Sequence, residues 1–146
     1  MTQVQLLGQR AKQAEKTLAT ASTELKNKAL ENMAQELASA AWEILQANAE
    51  DMKNARANGI AQVMLDRLLL TEYRIVGMAK GITDIVKLPD PIGVTLSEIK
   101  RPNGMTVKKI TVPLGVIAVI YEARPNVTSD AAALCLKSGN AVILRG

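Results

Sequence analysis

Charged side chains that directly follow apolar segments are the first candidates for chemistry in this chain. The stretch VIYEARPN, residues 119–126, passes from β-branched residues into Glu122, Arg124 and Asn126. A second apolar stretch, AVILR, ends on Arg145. Guanidinium groups bind phosphates and carboxylates through paired N–H donors, so these residues predict an anion site if the fold brings the two segments together. The alternative is that the charges are ordinary surface residues at strand ends.

The segments around these residues predict how they are positioned. LGVIAVIY and AVILR are continuously apolar, which is typical of strands covered on both faces in a parallel sheet. TSDAAALCLKSGN lies between them and predicts a helix that begins at Thr128 or Ser129 and is closed by Gly139. A strand–helix–strand order is a βαβ unit, whose parallel strands end at the edge where open sheets bind ligands. Arg124 and Arg145 are therefore expected at one edge, beside a helix N-terminus.

Residue types that are absent exclude several kinds of chemistry. The 146 residues include no histidine and a single cysteine, Cys135, so the sequence offers no Ser-His or Cys-His dyad, no histidine-ligated metal and no intrachain disulfide. Cys135 stands among apolar residues of the predicted helix, where a cysteine is usually an inert core residue. Neither G-x-G-x-x-G nor a P-loop occurs. A nucleotide would have to bind without those motifs.

Composition and charge also limit the partners. The net charge is +4, but the basic residues are interspersed with acidic ones, and Trp42, Tyr73 and Tyr121 are the only aromatic residues. A base-stacking nucleic-acid surface is therefore not expected. The sequence shows neither a signal peptide nor a long uncharged apolar run. We expect a globular cytoplasmic protein with no nucleic-acid, membrane or metal partner.

The first part of the chain predicts helices through about residue 87. Apolar residues recur every three or four positions, with Ser22 or Thr23 and later Thr71 as N-caps, a second start near Ser39, and Gly59 at a helix end. A short helix is expected around 61–69 and another from about 72 to 86.

After two prolines the apolar period changes toward two. Strands are expected near 94–100 and 105–112, joined by a tight turn at Asn103-Gly104. The alternation is imperfect on both strands, at Glu98 and Ile99 on the first and near Lys108 and Lys109 on the second, so the pattern favours a bulge or an edge ribbon over a core hairpin. Further strands are expected near 115–121 and 141–145, around a helix near 129–138.

VPLGVIAVIYEARPNVTSDAAALCLKSGNAVILRG closely resembles the glutamate-5-semialdehyde dehydrogenases, also called gamma-glutamyl phosphate reductases, of the aldehyde dehydrogenase superfamily. NAEDMKNARANG, MLDRLLLT and LPDPIG fit the same family in the same order. The resemblance implies an oxidoreductase that reduces gamma-glutamyl phosphate with NADPH, giving glutamate 5-semialdehyde, NADP and phosphate, in proline biosynthesis. It also implies a homo-oligomeric full-length enzyme and association with glutamate 5-kinase.

The resemblance implies roles for particular residues. Arg145 matches a basic position that contacts the adenosine side of the nicotinamide cofactor, and Tyr121, Glu122 and Ala123 match a stretch whose backbone lies along it. The superfamily's oxyanion-binding asparagine falls on Arg124 without a gap and on Asn126 with a two-residue shift. Both stay open as oxyanion donors, and Arg124 is equally a candidate for binding the phosphate or carboxylate of the substrate.

The resemblance also implies an organisation. We expect an α/β, aldehyde-dehydrogenase-like chain with a helical segment over 1–90, a β-ribbon over 91–113 and the first βαβ unit of a Rossmann-like NADP-binding domain over 114–146. Family members are much longer, and their nucleophilic cysteine lies in a later domain, so the chain is interpreted as an N-terminal fragment that is inactive alone. Two alternatives remain: another member of the superfamily, or a non-catalytic helical interaction module.

Overall fold

The computed structural model describes residues 2–122 and 124–146 of the chain. Its elements follow one another as α1 (Gln3–Leu18), α2 (Thr23–Ser39), α3 (Ala41–Ala57), α4 (Gln62–Leu68), α5 (Glu72–Lys87), β1 (Thr95–Lys100), β2 (Thr106–Ile110), β3 (Val116–Ile120), α6 (Pro125–Lys137) and β4 (Ala141–Arg145). The predicted order of helices, ribbon and βαβ unit is confirmed. None of the described helices is long and apolar enough to cross a membrane.

The helix ends follow the local signals in the sequence. Ser22 caps α2 by accepting a hydrogen bond from the Leu25 N–H at 3.2 Å, and Thr71 caps α5 by accepting one from the Arg74 N–H at 3.2 Å. Gly59 follows the end of α3 with a φ of 69°, a conformation that costs glycine little. These residues confirm the predicted caps of α2 and α5 and the predicted end of α3. The predicted second start at Ser39 was wrong, because α2 runs through Ser39 and α3 begins at Ala41 without a side-chain cap.

The predicted start of α6 was wrong. The helix begins at Pro125, after Arg124 as its N-cap residue, rather than at Thr128 or Ser129. Proline suits the first position of a helix, because its fixed φ is helical and no partner is needed there for an N–H. Asn126 therefore lies in the first turn of α6, and its position is fixed by the helix.

β1 and β2 form an antiparallel hairpin that is exposed along its whole length, as expected of an edge ribbon. The register shifts between Thr95 and Ser97, which pair with Ile110 and Lys109. The expected irregularity is confirmed, and the extra residue lies in β1, opposite Ile110 and Lys109. The apolar alternation is out of step on both strands, so it could not identify the strand that carries the extra residue.

β3 and β4 pair in parallel, with Val116 opposite Ala141 and Ile120 opposite Arg145. This confirms the βαβ unit. The expectation that both strands are covered on both faces was wrong for β3, because Ile120 is 83% exposed. In the described chain β3 has one neighbouring strand, and the helices α1 and α6 pack mainly against β4.

The main core lies where α2, α5 and α6 meet. Its buried apolar side chains are Leu30, Ala34, Ile82, Ile85 and Ala133. The buried Lys137 of α6 crosses this junction, donating to Asn27 Oδ1 at 2.7 Å and to the Val86 carbonyl at 2.9 Å. The helix of the βαβ unit thus completes the core of the preceding helices.

A buried ion pair fixes the segment between α5 and β1 to the start of α2. Lys26 Nζ lies 2.6 Å from Asp90 Oδ2, and the Lys26 side chain is only 2% exposed. Asp90 also accepts hydrogen bonds from Thr23 Oγ1 at 2.6 Å and from the Ile92 N–H at 3.0 Å. The carboxylate therefore replaces its lost hydration with three protein donors.

Candidate functional site

A cleft of about 630 Å³ opens between α4, α5 and the start of α6. Its walls bring together residues that are some sixty positions apart in the sequence. The polar and charged side chains that line it are Asp66, Arg67, Arg74, Arg124, Asn126 and Asp130. Two of the candidates identified from the sequence, Arg124 and Asn126, are therefore in one cavity.

The α6 wall is ordered by hydrogen bonds within the first turns of that helix. Asn126 Nδ2 donates to Asp130 Oδ2 at 3.3 Å, and Ser129 Oγ donates to the Asn126 carbonyl at 2.8 Å. The Asn126 carboxamide is thus oriented by an acidic neighbour. Arg124 is exposed at the N-cap position, where its guanidinium group faces solvent or a ligand.

The opposite wall is held by a buried asparagine and an arginine. Asn48 of α3 donates to the Leu68 carbonyl at 2.9 Å and accepts from the Leu70 N–H at 2.7 Å. Arg74 donates to the carbonyls of Asp66, at 2.7 Å, and of Leu69. These bonds fix the turn between α4 and α5 from both sides, and so they fix the last turn of α4, which carries Arg67.

The charged side chains of the cleft do not neutralise one another. In the described chain, no nitrogen–oxygen distance of 4.0 Å or less pairs Arg67, Arg74 or Arg124 with a carboxylate. Three guanidinium groups and two carboxylates therefore line one cavity with their charges uncompensated locally. Such a cavity is suited to a ligand that carries charge of its own.

Tyr121 joins α6 to the edge of the sheet. Its backbone N–H donates to the Arg145 carbonyl at 3.0 Å, and its hydroxyl group lies 2.5 Å from Thr128 Oγ1 of α6. Arg145 and Glu122 are exposed, and Arg145 is not among the residues that line the cleft. Ala123, the remaining candidate for the cofactor, lies outside the described residues.

The two arginines therefore follow neighbouring parallel strand ends but serve different surfaces. Arg124 faces the cleft, whereas Arg145 stands at the end of β4. No ion pair links Glu122 to Arg124 within the part of the chain that the structure describes. The charges in YEARPN are thus available to ligands rather than to each other.

The turn from α6 into β4 sets the position of the strand ends. Gly139 has a φ of 68°, and a β-carbon there would lie 3.0 Å from Pro113 Cγ, so only glycine fits this close approach. The next residue, Asn140, is buried and accepts from the Gly115 N–H at 2.8 Å, which connects the start of β3 to the start of β4.

Cys135 lies in the core and not in the cleft. Its side chain is 6% exposed, and burial raises the pKa of the thiol above its ordinary value. A thiol that resists ionisation is a poor nucleophile, because the thiolate is the reactive form. The predicted core position of Cys135 is confirmed.

We expect Cys135 to react with a thiol reagent at least about tenfold more slowly in the native chain than in denaturant, because both burial and the raised pKa oppose thiolate formation. The rate of labelling by a chromogenic disulfide measures this. Equal rates in the two conditions would show that the thiol is accessible in the folded chain.

Asp66, Arg67 and Arg74 were not identified as site residues from the sequence. They lie in DRLLLTEYR, where charges on a short amphipathic helix look like solvent-exposed positions. The available signal was the resemblance of MLDRLLLT to a family motif. The position of this segment across the cleft from the start of α6 depends on tertiary packing that no local pattern encodes.

Comparison with known proteins identifies relatives over nearly the whole chain. A gamma-glutamyl phosphate reductase of Paramagnetospirillum magneticum is 56% identical over 140 residues, which cover 96% of this chain and 33% of the relative. One of Carboxydothermus hydrogenoformans is 51% identical over 146 residues, 100% of this chain and 35% of the relative. No protein-family model matches the chain.

Solved structures give the same result for the fold. The crystal structure of gamma-glutamyl phosphate reductase from Thermotoga maritima superposes with a TM-score of 0.92 at 39% identity, covering 94% of this chain and 33% of that one. The enzyme from Saccharomyces cerevisiae superposes with a TM-score of 0.90 at 34% identity, covering 100% of this chain and 37% of that one. The chain thus spans about a third of the length of the relatives it matches.

Proposed function

We propose that this chain, a homologue of gamma-glutamyl phosphate reductases over about a third of their length, forms the part of such an enzyme that holds substrate and nicotinamide cofactor on two sides of the start of α6. The reaction is the reduction of gamma-glutamyl phosphate by NADPH to glutamate 5-semialdehyde, NADP and phosphate, in proline biosynthesis. One observation carries the assignment: Arg124 and Asn126 line a charged cleft at the start of α6, while Tyr121 joins α6 to the strand end at Arg145.

The residues at the strand ends fit a cofactor that carries phosphate. The Arg145 guanidinium is exposed beyond β4, and arginine binds phosphate oxygens through a rigid pair of donors. This favours NADPH over NADH, because NADPH has an additional phosphate on its adenosine side. When bound, the cofactor supplies the hydride. Tyr121 and Glu122 follow β3 at the same edge, and together with Ala123 they are proposed to lie along it.

Arg124 and Asn126 are proposed to act at the reacting end of the substrate. Attack on the acyl carbon places negative charge on its oxygen, and fixed hydrogen-bond donors stabilise that charge. The Asn126 carboxamide is oriented by Asp130, so it is an oriented donor of this kind. Arg124 stands two residues earlier with an unpaired guanidinium, suited to the departing phosphate. Cys135 is buried away from the cleft and is not proposed as the nucleophile.

The setting of the enzyme is also part of the proposal. The exposed β1–β2 hairpin carries Leu96, Ile99 and Ile110, each about half exposed, which supports a homo-oligomer that covers this ribbon. An acyl phosphate is prone to hydrolysis, which supports association with the glutamate 5-kinase that makes it. We propose a cytoplasmic location for the assembly.

The rival function, a non-catalytic helical interaction module, is less well supported, because α6 of the βαβ unit completes the core of the helices.

We expect the chain alone to show no NADPH oxidation that depends on gamma-glutamyl phosphate, since its one thiol is buried and covalent capture then has no first step. We expect turnover from a chimaera in which residues 1–146 replace the matching segment of the Carboxydothermus hydrogenoformans relative, at a rate within about tenfold of that parent. The assay is the loss of NADPH absorbance.

Two results would refute the assignment. One is turnover by the chain alone that is abolished by Cys135→Ser. The other is a chimaera that folds, as judged by circular dichroism and a cooperative melt, but does not oxidise NADPH in the presence of substrate. The parent enzyme measured in parallel shows that the substrate preparation is active.

A further inference from the structure

We propose that the cleft between α4, α5 and α6 is a receptor for the α-amino-acid head group of the substrate, with Arg67 binding the α-carboxylate and Asp130 binding the α-ammonium. The inference rests on the proposed function and extends it by naming residues that determine specificity. It begins from the observation that the cleft carries uncompensated charges of both signs. A ligand with both signs of charge at one end matches this arrangement better than a simple anion does.

Arg67 is the arginine best placed for the carboxylate. Arg74 donates its Nη1 to two backbone carbonyls and holds the α4–α5 turn, so its role is structural. Arg124 is next to Asn126 at the reacting end. Arg67 is exposed on the opposite wall, and the hydrogen-bond contact that the described residues give its guanidinium is the sulfur of Met64 at 4.0 Å. Its guanidinium therefore keeps its donors for a ligand, and two parallel bonds to a carboxylate use the geometry that arginine prefers.

Asp130 is the better placed of the two carboxylates for the ammonium. Asp66 already accepts from Gln62 of its own helix at 3.0 Å and is more exposed than Asp130. Asp130 is half-buried, and its Oδ2 accepts from Asn126. Asp130 also lines the cleft, so its carboxylate is accessible to a ligand there. An ammonium group bound to Asp130 would lie next to Asn126, which donates to the same carboxylate.

The two contacts together predict a preference for a substrate that retains its α-amino-acid group. A ligand without the ammonium loses the Asp130 contact, and one without the α-carboxylate loses the Arg67 contact. In either case a charged side chain of the cleft then faces a part of the ligand that carries no opposite charge. Charged pockets reject analogues in this way. The acyl phosphate end then extends toward Arg124 and Asn126.

The test uses the chain itself and stable probes, followed by amide signals in two-dimensional NMR. We expect L-glutamate to shift signals from 66–70 and 124–130, and to bind about tenfold more tightly than glutarate, which lacks the ammonium, or 4-aminobutyrate, which lacks the α-carboxylate. Arg67→Gln should weaken glutamate binding about tenfold without changing the affinity for 4-aminobutyrate. Asp130→Asn should reduce the affinity for glutamate to that for glutarate.

Arg101→Gln and Asp51→Asn are the matched controls. Arg101 is an exposed arginine in the turn of the ribbon, and Asp51 is an exposed aspartate of α3 that does not line the cleft, so both variants should bind glutamate as the native chain does. A thermal melt of each variant separates misfolding from loss of a contact, and Arg67→Lys should recover part of the affinity.

Equal binding of the three probes, shifts outside the cleft, or no effect of Arg67→Gln would overturn the inference. So would an active chimaera whose N-terminal chain does not bind glutamate, and that result would leave the proposed function intact. Conversely, glutamate binding with the expected preference in an inactive chimaera would refute the proposed function alone.

Discussion

Replacing Asp90 with alanine is expected to lower the free energy of unfolding by about 3 kcal/mol, because the change leaves the Lys26 ammonium buried without its counter-ion. For a chain of this size, that loss corresponds to a fall of about 10 °C in Tm. The same carboxylate also accepts from Thr23 and the Ile92 N–H, so the variant loses three hydrogen bonds at once. Urea denaturation at neutral pH measures the change.

Asp84→Ala is the matched control for Asp90→Ala. Asp84 pairs with Lys80 and Lys87 on the surface of α5, where the three charges are exposed to water in both the folded and the unfolded chain. Surface pairs of this kind contribute little to stability. Equal losses in the two variants would contradict the account, since it makes burial of Lys26 the cause of the difference.

The two variants should also differ in acid. Burial alone would raise the pKa of Asp90, but hydrogen bonds from Lys26 and Thr23 and from the Ile92 N–H outweigh it and hold the pKa at about 2, below the ordinary 3.8. A lowered carboxylate pKa stabilises the folded state above about pH 4, and the contribution is lost as the pH falls toward 2. Asp90→Ala should therefore show a shallower loss of stability over that range than Asp84→Ala does.

Local signals in the sequence predicted most of the elements but not the cleft. The ends of α3 and α6 and the hairpin turn depend on single glycines. β4 was predicted at residues 141–145, where it is found, because the apolar segment AVILR follows Gly139-Asn140 and ends on Arg145. The start of α6 was missed because Pro125 was interpreted as part of a loop, although proline favours the first position of a helix.

The site depends on contacts that are remote in sequence. Arg124 and Asn126 were identified because they follow a strand, but Arg67 meets them only through the packing of the helices around α5. That packing is supported by the buried side chain of Asn48, which bonds to the backbone of Leu68 and Leu70. The sequence around Asn48 gives no signal of these bonds. Residues that line a cavity from separate helices carry no shared local pattern, and so they could not be grouped from the sequence.

In the chimaera with the Carboxydothermus hydrogenoformans relative, Arg124→Ala is expected to lower kcat/KM for gamma-glutamyl phosphate about 100-fold and to leave KM for NADPH nearly unchanged. The reason is that Arg124 faces the cleft, where a donor acts on charge that develops in the transition state. Arg145→Ala is expected to raise KM for NADPH about tenfold, the loss of one charge-assisted hydrogen bond in the ground state, with little change in kcat.

The central claim is that the cleft serves the substrate while the end of β4 serves the cofactor. The most direct test is the complete set of steady-state constants for these two variants, measured against both NADPH and gamma-glutamyl phosphate, with Arg101→Ala as the control arginine. The account predicts that the losses separate, with the substrate constants changing in Arg124→Ala and the NADPH constant changing in Arg145→Ala. If both variants kept the kinetics of the unmodified chimaera, or lost only thermal stability, the claim would be contradicted, and the charges in YEARPN would be ordinary surface residues.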